Sequence, residues 1–513
     1  MSATQSTEGV SSMPEYQHYV PQFLLRNFSH RFGKRNQKKK LHPNNKVLNV
    51  LDLSHDDPTL SVQRVDRTFG RYDMYCDSTA LDHDQKRRIK TELGRLENDV
   101  APVFAKLLDA QSNSDKLSCD GYTKLSQHEQ FLLKRFIFVM KYRSQIFFRR
   151  YNHENKEDYN DKDKAKMLKY MEERNFHRPI DVWFDNLWHM MVHKFEGEME
   201  WCKALEKLIY PEDALWLQLS MRLKYPVVCT PQNHNEEFVV TGDAYCLHEG
   251  PSDSDSAAEL YTICIVAPRL AILMRDDALP ELMDDQDPER QEMNREMLAA
   301  QLSKLRFPEN ATSILETLRV VKPRSTYTTN SDGQLIFSWS HPWVEVKAKV
   351  LYFPIFRISS EHVQNINSVI LNEAYDLPEI VFRSKSALLL ALQAFLPMPS
   401  EGFYSLKNYP SEGHDRVLYL KKLERFAHSE GLDIKAVYKL PKTHMISVPV
   451  ALHREEGGLH DYPLPRAQHT ADMPSPFRPE NEHLFESNYS RQMAPRGETP
   501  ALEDLMALFT MTN

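Results

Sequence analysis

The chain has 513 residues, enough for one large or two medium domains around a sizeable core. Its 64 Lys and Arg stand against 72 Asp and Glu, and the net charge of -8 argues against a generic nucleic-acid binder while leaving room for a local basic patch. The longest apolar runs, such as Ala387 to Leu390, are far too short to cross a bilayer.

Residues 1–13 are polar, rich in Ser and Thr, and lack the basic-then-apolar order of a secretory signal; they read as a disordered tail. Pro21 then fixes its own φ and pushes Val20 towards an extended conformation, so a helix is expected to begin at Pro21. On that helix Gln22 and Arg26 lie one turn apart on one face, His18 sits just before it, and Leu24, Leu25 and Phe28 form an apolar side. The basic run Arg31 to Lys40 follows, readable as a nuclear-import signal, an anion-binding patch or a solvated loop; it is the one place where nucleic acid is an expected partner. Val47 to Leu53 reads as a strand, with Leu60 to Val65 as its partner across an Asp-Asp-Pro turn.

Leu81 to Ala110 has the helical period, with a kink expected at Pro102. Glu97 falls inside its apolar stripe, where a carboxylate needs a hydrogen-bonding or cationic partner. Ser126-Gln-His-Glu129 is a capping box that opens a helix running through Phe148 and apolar nearly all round. Arg143 lies in the richest stripe of that helix, and an unpaired buried guanidinium costs several kcal/mol, on the order of an ion's desolvation penalty. Glu97 is its candidate partner.

Residues 151–166 read as a charged linker, followed by helices over about 179–208 and from Pro211 to Leu223. Strands are expected at 226–230, 238–241 and 262–266 running into 270–274, with the turn Thr241-Gly242-Asp243-Ala244 after the second. An insertion near 275–335 carries an acidic helix, Glu281 to Leu305. Leu335 to Trp339 and Val344 to Phe353 alternate as a β-hairpin, and Ser359-Ser360-Glu361 opens a helix to Ala374. Beyond a domain ending near 400, an accessory segment at 401–452 contains a short helix, Val417 to Ala427, and an extended stretch, Ala436 to Val450. Residues 453–498 read as disordered, and 499–510 as a short amphipathic helix suited to a protein partner. The fold class is α+β: a predominantly helical body with a small, mostly antiparallel sheet.

The signature His18-Tyr-Val-Pro-Gln-x-x-Leu-Arg-x-Phe28 resembles that of the family catalogued as domain of unknown function 4238, and the resemblance spans roughly 16–395 with a large insertion. It implies a recurrent Glu in the first long helix and Arg in the second, which Glu97 and Arg143 match, and an Asn and Ala in the C-terminal helix, matching Asn367 or Asn372 and Ala374. Where members commonly show Thr-Ser-Asp-Asn-Pro, this chain keeps Thr241 and Asp243 but has Gly242, Ala244 and Tyr245. The resemblance brings no established activity.

The candidate site is therefore His18, Gln22, Arg26, Glu97, Arg143 and Asp243, either a polar pocket in which an acid, a base and cations converge on a substrate or a buried ion network. The first reading gives a hydrolase, with phosphodiesters among its candidate substrates; the second gives a non-catalytic interaction or regulatory protein. His189 and His193 have the one-turn spacing of a metal pair, but Met190 stands where zincin proteases carry glutamate, so cofactor and metal stay open. Six cysteines without a C-x-x-C pair suit reduced thiols in a cytoplasmic or nuclear protein.

Overall fold

The computed structural model describes residues 14–31, 46–77, 83–117, 121–161, 163–194, 200–242, 247–249, 258–276, 312–318, 320–324, 327–329, 335–337, 350–399 and 413–440, with Lys407 and scattered positions in 279–299. The chain opens with β1 (Tyr16–His18), α1 (Gln22–Phe28), β2 (His30–Arg31), β3 (Lys46–Asp52), β4 (Thr59–Arg64) and β5 (Gly70–Tyr72). The helical body follows: α2 (His83–Leu117), then β6 (Gly121–Ser126), α3 (Gln127–Tyr142), α4 (Gln145–Tyr151), α5 (Lys164–Arg174), α6 (Pro179–Val192), α7 (Glu200–Leu208) and α8 (Pro211–Arg222). Strands β7 (Lys224–Pro231), β8 (Val240–Thr241), β9 (Leu247–Glu249), β10 (Ala258–Ala267), β11 (Leu270–Asp276), β12 (Tyr327–Thr329), β13 (Leu335–Phe337) and β14 (Val350–Ile358) lead to α9 (Ser360–Glu373), β15 (Glu379–Phe382), α10 (Lys385–Phe395) and α11 (Asp415–Ser429). The fold is α+β and mostly helical.

Two larger sheets take the place of the single small one. One has the order β6-β14-β7-β11-β10-β9 and is antiparallel except where β14 runs parallel to β7. The other, β2-β3-β15-β8 with β4 on the free side of β3, is antiparallel throughout and joins strands from both ends of the sequence. β1 and β5 form a separate two-stranded ribbon.

Local signals account for many boundaries. Ser126 and Glu129 close a reciprocal capping box on α3, Pro stands at the first position of α6 and α8, and Ser359 caps α9 through the amide of His362. α2 continues through Pro102 and is longer than its apolar period predicts.

Other expectations change. The helix expected over 131–148 is broken at Arg143, because Ser144 turns extended and its side chain caps a new helix through the amide of Phe147. The 179–208 helix is two, α6 and α7, with 195–199 outside the described residues. The charged stretch 151–166 is no mere linker, since Tyr151 and Tyr159 within it are fully buried. The alternating pair 335–353 does not form its own hairpin: β13 pairs with β12, while β14 lies between β6 and β7. The 1–13 tail, residues 32–45 of the basic loop, most of the 281–305 helix and everything after Leu440 lie outside the described residues.

The C-terminal α11 is fastened by its first turn. Arg416 donates to the backbone carbonyl of Asn372 and to the Glu373 carboxylate, and its guanidinium sits 4.0 Å from the Tyr375 ring centroid.

Candidate functional site

The opening motif is held by an uncommon backbone. Phe69 adopts the left-handed region at φ 53 although its side chain is fully buried, and its carbonyl accepts from Tyr19 N at 3.0 Å and Val20 N at 3.4 Å. A left-handed bulky residue costs about 1–2 kcal/mol. Here it orients a carbonyl towards the turn that starts α1, and the Phe69 amide donates to Glu379 Oε1 at 3.2 Å. Burial raises the Glu379 carboxyl above its ordinary range, opposed by that amide. Asp73, at φ 52, closes the other end of β5.

His18 ends β1 and is half-buried. Its Nδ1 lies 3.0 Å from the carbonyl of Thr68, which can only accept, so Nδ1 carries the proton. Gln22 Nε2 lies 2.9 Å from His18 Nε2, and Arg26 Nη2 donates to Gln22 Oε1 at 3.2 Å. A guanidinium only donates, so the amide oxygen of Gln22 faces Arg26 and its NH2 faces the imidazole. Every bond therefore runs one way, from exposed Arg26 to Gln22, to His18, to Thr68. The imidazole is neutral, and its lone pair on Nε2 accepts from Gln22. Burial lowers the His18 pKa, with the charges of Arg143 and Arg26 acting in the same direction and the Thr68 carbonyl opposing.

Behind this relay lies the predicted ion pair. Arg143, at the break between α3 and α4, has a side chain only 1 % exposed. It donates through Nε to the carbonyl of Tyr19 at 2.8 Å and through Nη1 to Glu97 Oε1 at 2.9 Å. The Glu97 side chain is 28 % exposed, so the pair reaches from the interior towards solvent. Tyr75 completes the setting: its amide donates to Gln17 Oε1 at 2.6 Å and its hydroxyl to the carbonyl of His18 at 3.2 Å. Burial pushes its phenol up to about 12.

The six predicted residues divide. His18, Gln22 and Arg26 form one bonded chain; Arg143 and Glu97 form a second unit, which meets the first at the backbone of Tyr19. Asp243 lies outside the described residues, but its neighbour Gly242 does not. A Cβ at Gly242 would meet Tyr19 Cε2 at 2.7 Å, so the glycine lets the ring of the residue that follows His18 lie against it.

His189 Nε2 lies 3.8 Å from Asp185 Oδ1, and the carbonyl of His193 accepts from Arg135 Nη2 at 2.6 Å. Burial lowers both imidazole pKa values. Among the described residues no group of three or more His, Cys, Asp or Glu is placed to hold a metal. Cys229 and Cys264 are fully buried, and burial pushes both thiols up to about 12, which suits packing and not nucleophilic chemistry.

Sequence reasoning missed the larger polar cluster inside the helical body. Asp213 Oδ2 accepts from Tyr142 at 2.8 Å, Tyr151 at 2.6 Å and Asn186 at 2.8 Å, while Arg150 bridges to Asp163 at 2.6 Å. Burial raises the Asp213 carboxyl, opposed by Arg150 and the tyrosines. The available signal was two tyrosines, Tyr159 and Tyr210, within four residues of Asp163 and Asp213 respectively.

No curated protein and no solved structure matches the chain. The family model described as a protein of unknown function (DUF4238) matches residues 16–386, which include the opening motif, Glu97, Arg143 and the strands around Gly242, and the chain belongs to that family.

Proposed function

We propose that the protein is a hydrolase whose site is centred on His18, with Asp243, the sequence neighbour of Gly242, as a further member. The observation that supports this reading most is the hydrogen bond from His18 Nδ1 to the Thr68 carbonyl. It fixes the tautomer and directs the basic lone pair of Nε2 towards the half-buried side of α1, the arrangement a general base requires. When Gln22 swings away, Nε2 takes a proton from a water whose oxygen bonds to the ester carbon or phosphorus. The bond to the leaving oxygen breaks, the imidazolium returns the proton to that oxygen, and exposed Arg26 holds an anionic group. Arg143 and Glu97 are positioning residues here, fastening the Tyr19 backbone against α2.

A second reading, a non-catalytic interaction or regulatory protein, is favoured by one observation: the Arg143 guanidinium is almost wholly buried and bonded on two sides.

The two separate with His18→Asn and His18→Ala. The Asn amide can still donate to the Thr68 carbonyl but offers no base. With a hydrolase, both variants lose turnover of chromogenic esters or phosphodiesters by about 100-fold or more while His18→Asn keeps its melting temperature. If wild type turns over none of these compounds and His18→Asn melts as early as His18→Ala, the structural reading stands.

A further inference from the structure

The ribbon beside His18 carries an aromatic and cationic surface that the hydrolase reading does not use. The pairing of β1 with β5 sets Tyr16 opposite Tyr72 and His18 opposite Gly70, so these four share one face. The Tyr16 ring stands edge-on to His18 at 5.3 Å and edge-on to Tyr72 at 5.3 Å. It can lie there because Gly70 has no Cβ, which would meet Tyr16 Cε1 at 2.4 Å. Tyr72 is 56 % exposed, although its ring is fixed: Arg67 Nη1 donates to its hydroxyl at 3.1 Å, and the Arg67 guanidinium stacks 5.6 Å from the Tyr16 centroid.

A rigid exposed ring costs little entropy when a flat partner covers it. The backbone reinforces this rigidity, because the left-handed residues Phe69 and Asp73 bracket the three residues of β5. Two exposed guanidiniums belong to this network of contacts, Arg67 beside the rings and Arg26 at the outer end of the His18 relay. Nearby Arg64 is tied to Asp66, with Nη2 to Oδ2 at 2.5 Å, so its charge is already paired. Although the chain's net charge is -8, an exposed ring with cations beside it, next to the His18 base, fits a strand of alternating bases and phosphates.

We infer that this surface binds single-stranded nucleic acid, with a base on Tyr72 and flanking phosphates on Arg67 and Arg26. The inference names the substrate class of the His18 site and rests on that reading for cleavage, but binding is read separately.

Fluorescence anisotropy of short fluorescein-labelled RNA and DNA strands with the full chain tests it. Two phosphate contacts predict that affinity falls about sevenfold between about 50 and 200 mM salt. Tyr72→Ala, at an exposed position, should weaken binding about fivefold or more, and Tyr72→Phe, which keeps the ring but loses the Arg67 bond, should fall between Tyr72→Ala and wild type. Binding that responds in this way without cleavage of the strand would remove nucleic acid as the substrate of the His18 site and leave the surface standing. Absence of binding by wild type, unchanged affinity in Tyr72→Ala, or equal displacement of the strand by polyglutamate would overturn the inference.

Discussion

His18 is kept neutral by bonds as much as by burial. A proton on Nε2 would set two donors face to face across the contact with Gln22, so the native state resists binding it. The sign follows. The folded pKa lies below the ordinary histidine value of about 6.5, so the unfolded chain binds more protons as pH drops through that value, and acid costs stability. His189, His193 and His362 are shifted in the same direction by burial and add to the trend. The melting temperature is therefore expected to fall between about pH 7 and pH 5, with His18→Asn losing less over that interval than wild type. Equal losses in the two proteins would show that His18 carries none of the effect.

At the scale of elements, two glycines hold the motif in place and rank differently. A Cβ at Gly242 meets a side chain, the Tyr19 ring, which can turn; a Cβ at Gly70 also meets the carbonyl of Gln17 at 2.7 Å, and backbone cannot move so freely. Gly70→Ala should cost about 2–3 kcal/mol and Gly242→Ala about 1 kcal/mol, within the range for overpacking. Chemical denaturation checks the order, and Tyr19→Leu should abolish the cost at Gly242 only.

Much of this level was legible. Pro21, the Ser126 capping box and the β3–β4 pair declare themselves within a few residues of sequence. So did the Gln22–Arg26 step, because one helical turn brings them together. What sequence did not disclose are partners supplied from afar. Thr68 and Phe69 reach the motif across fifty positions, and β14 reads as a local hairpin strand until β6 and β7 enclose it. The break at Arg143 escaped because an apolar run with good helix formers hides a capping serine.

Across the whole molecule, the Asp213 cluster ties α3, α4, α6 and α8 through one carboxylate oxygen. Three donors converge there, so the acceptor matters more than the charge. Asp213→Asn can keep an oxygen in place and should cost clearly less than Asp213→Leu, for which about 3 kcal/mol or more is expected from orphaned buried donors. Urea denaturation of both variants decides it, and equal losses would mean that the charge towards Arg150, 3.8 Å away, carries the effect. The acids and tyrosines of this cluster look in sequence like a solvated linker and a scatter of aromatics. Only the packing of four helices turns them inward.

The one-way order of the Arg26–Gln22–His18–Thr68 chain has a consequence at the surface. Its members cannot change singly. If His18 gains a proton, the Gln22 amide must turn over to offer its oxygen to Nε2, and its NH2 then confronts Arg26. Two donors cannot share that contact, so the guanidinium is cast off into solvent. The state of a half-buried ring is thus written on an exposed side chain two positions along the chain of bonds, as present or absent contact, with no movement of the backbone required.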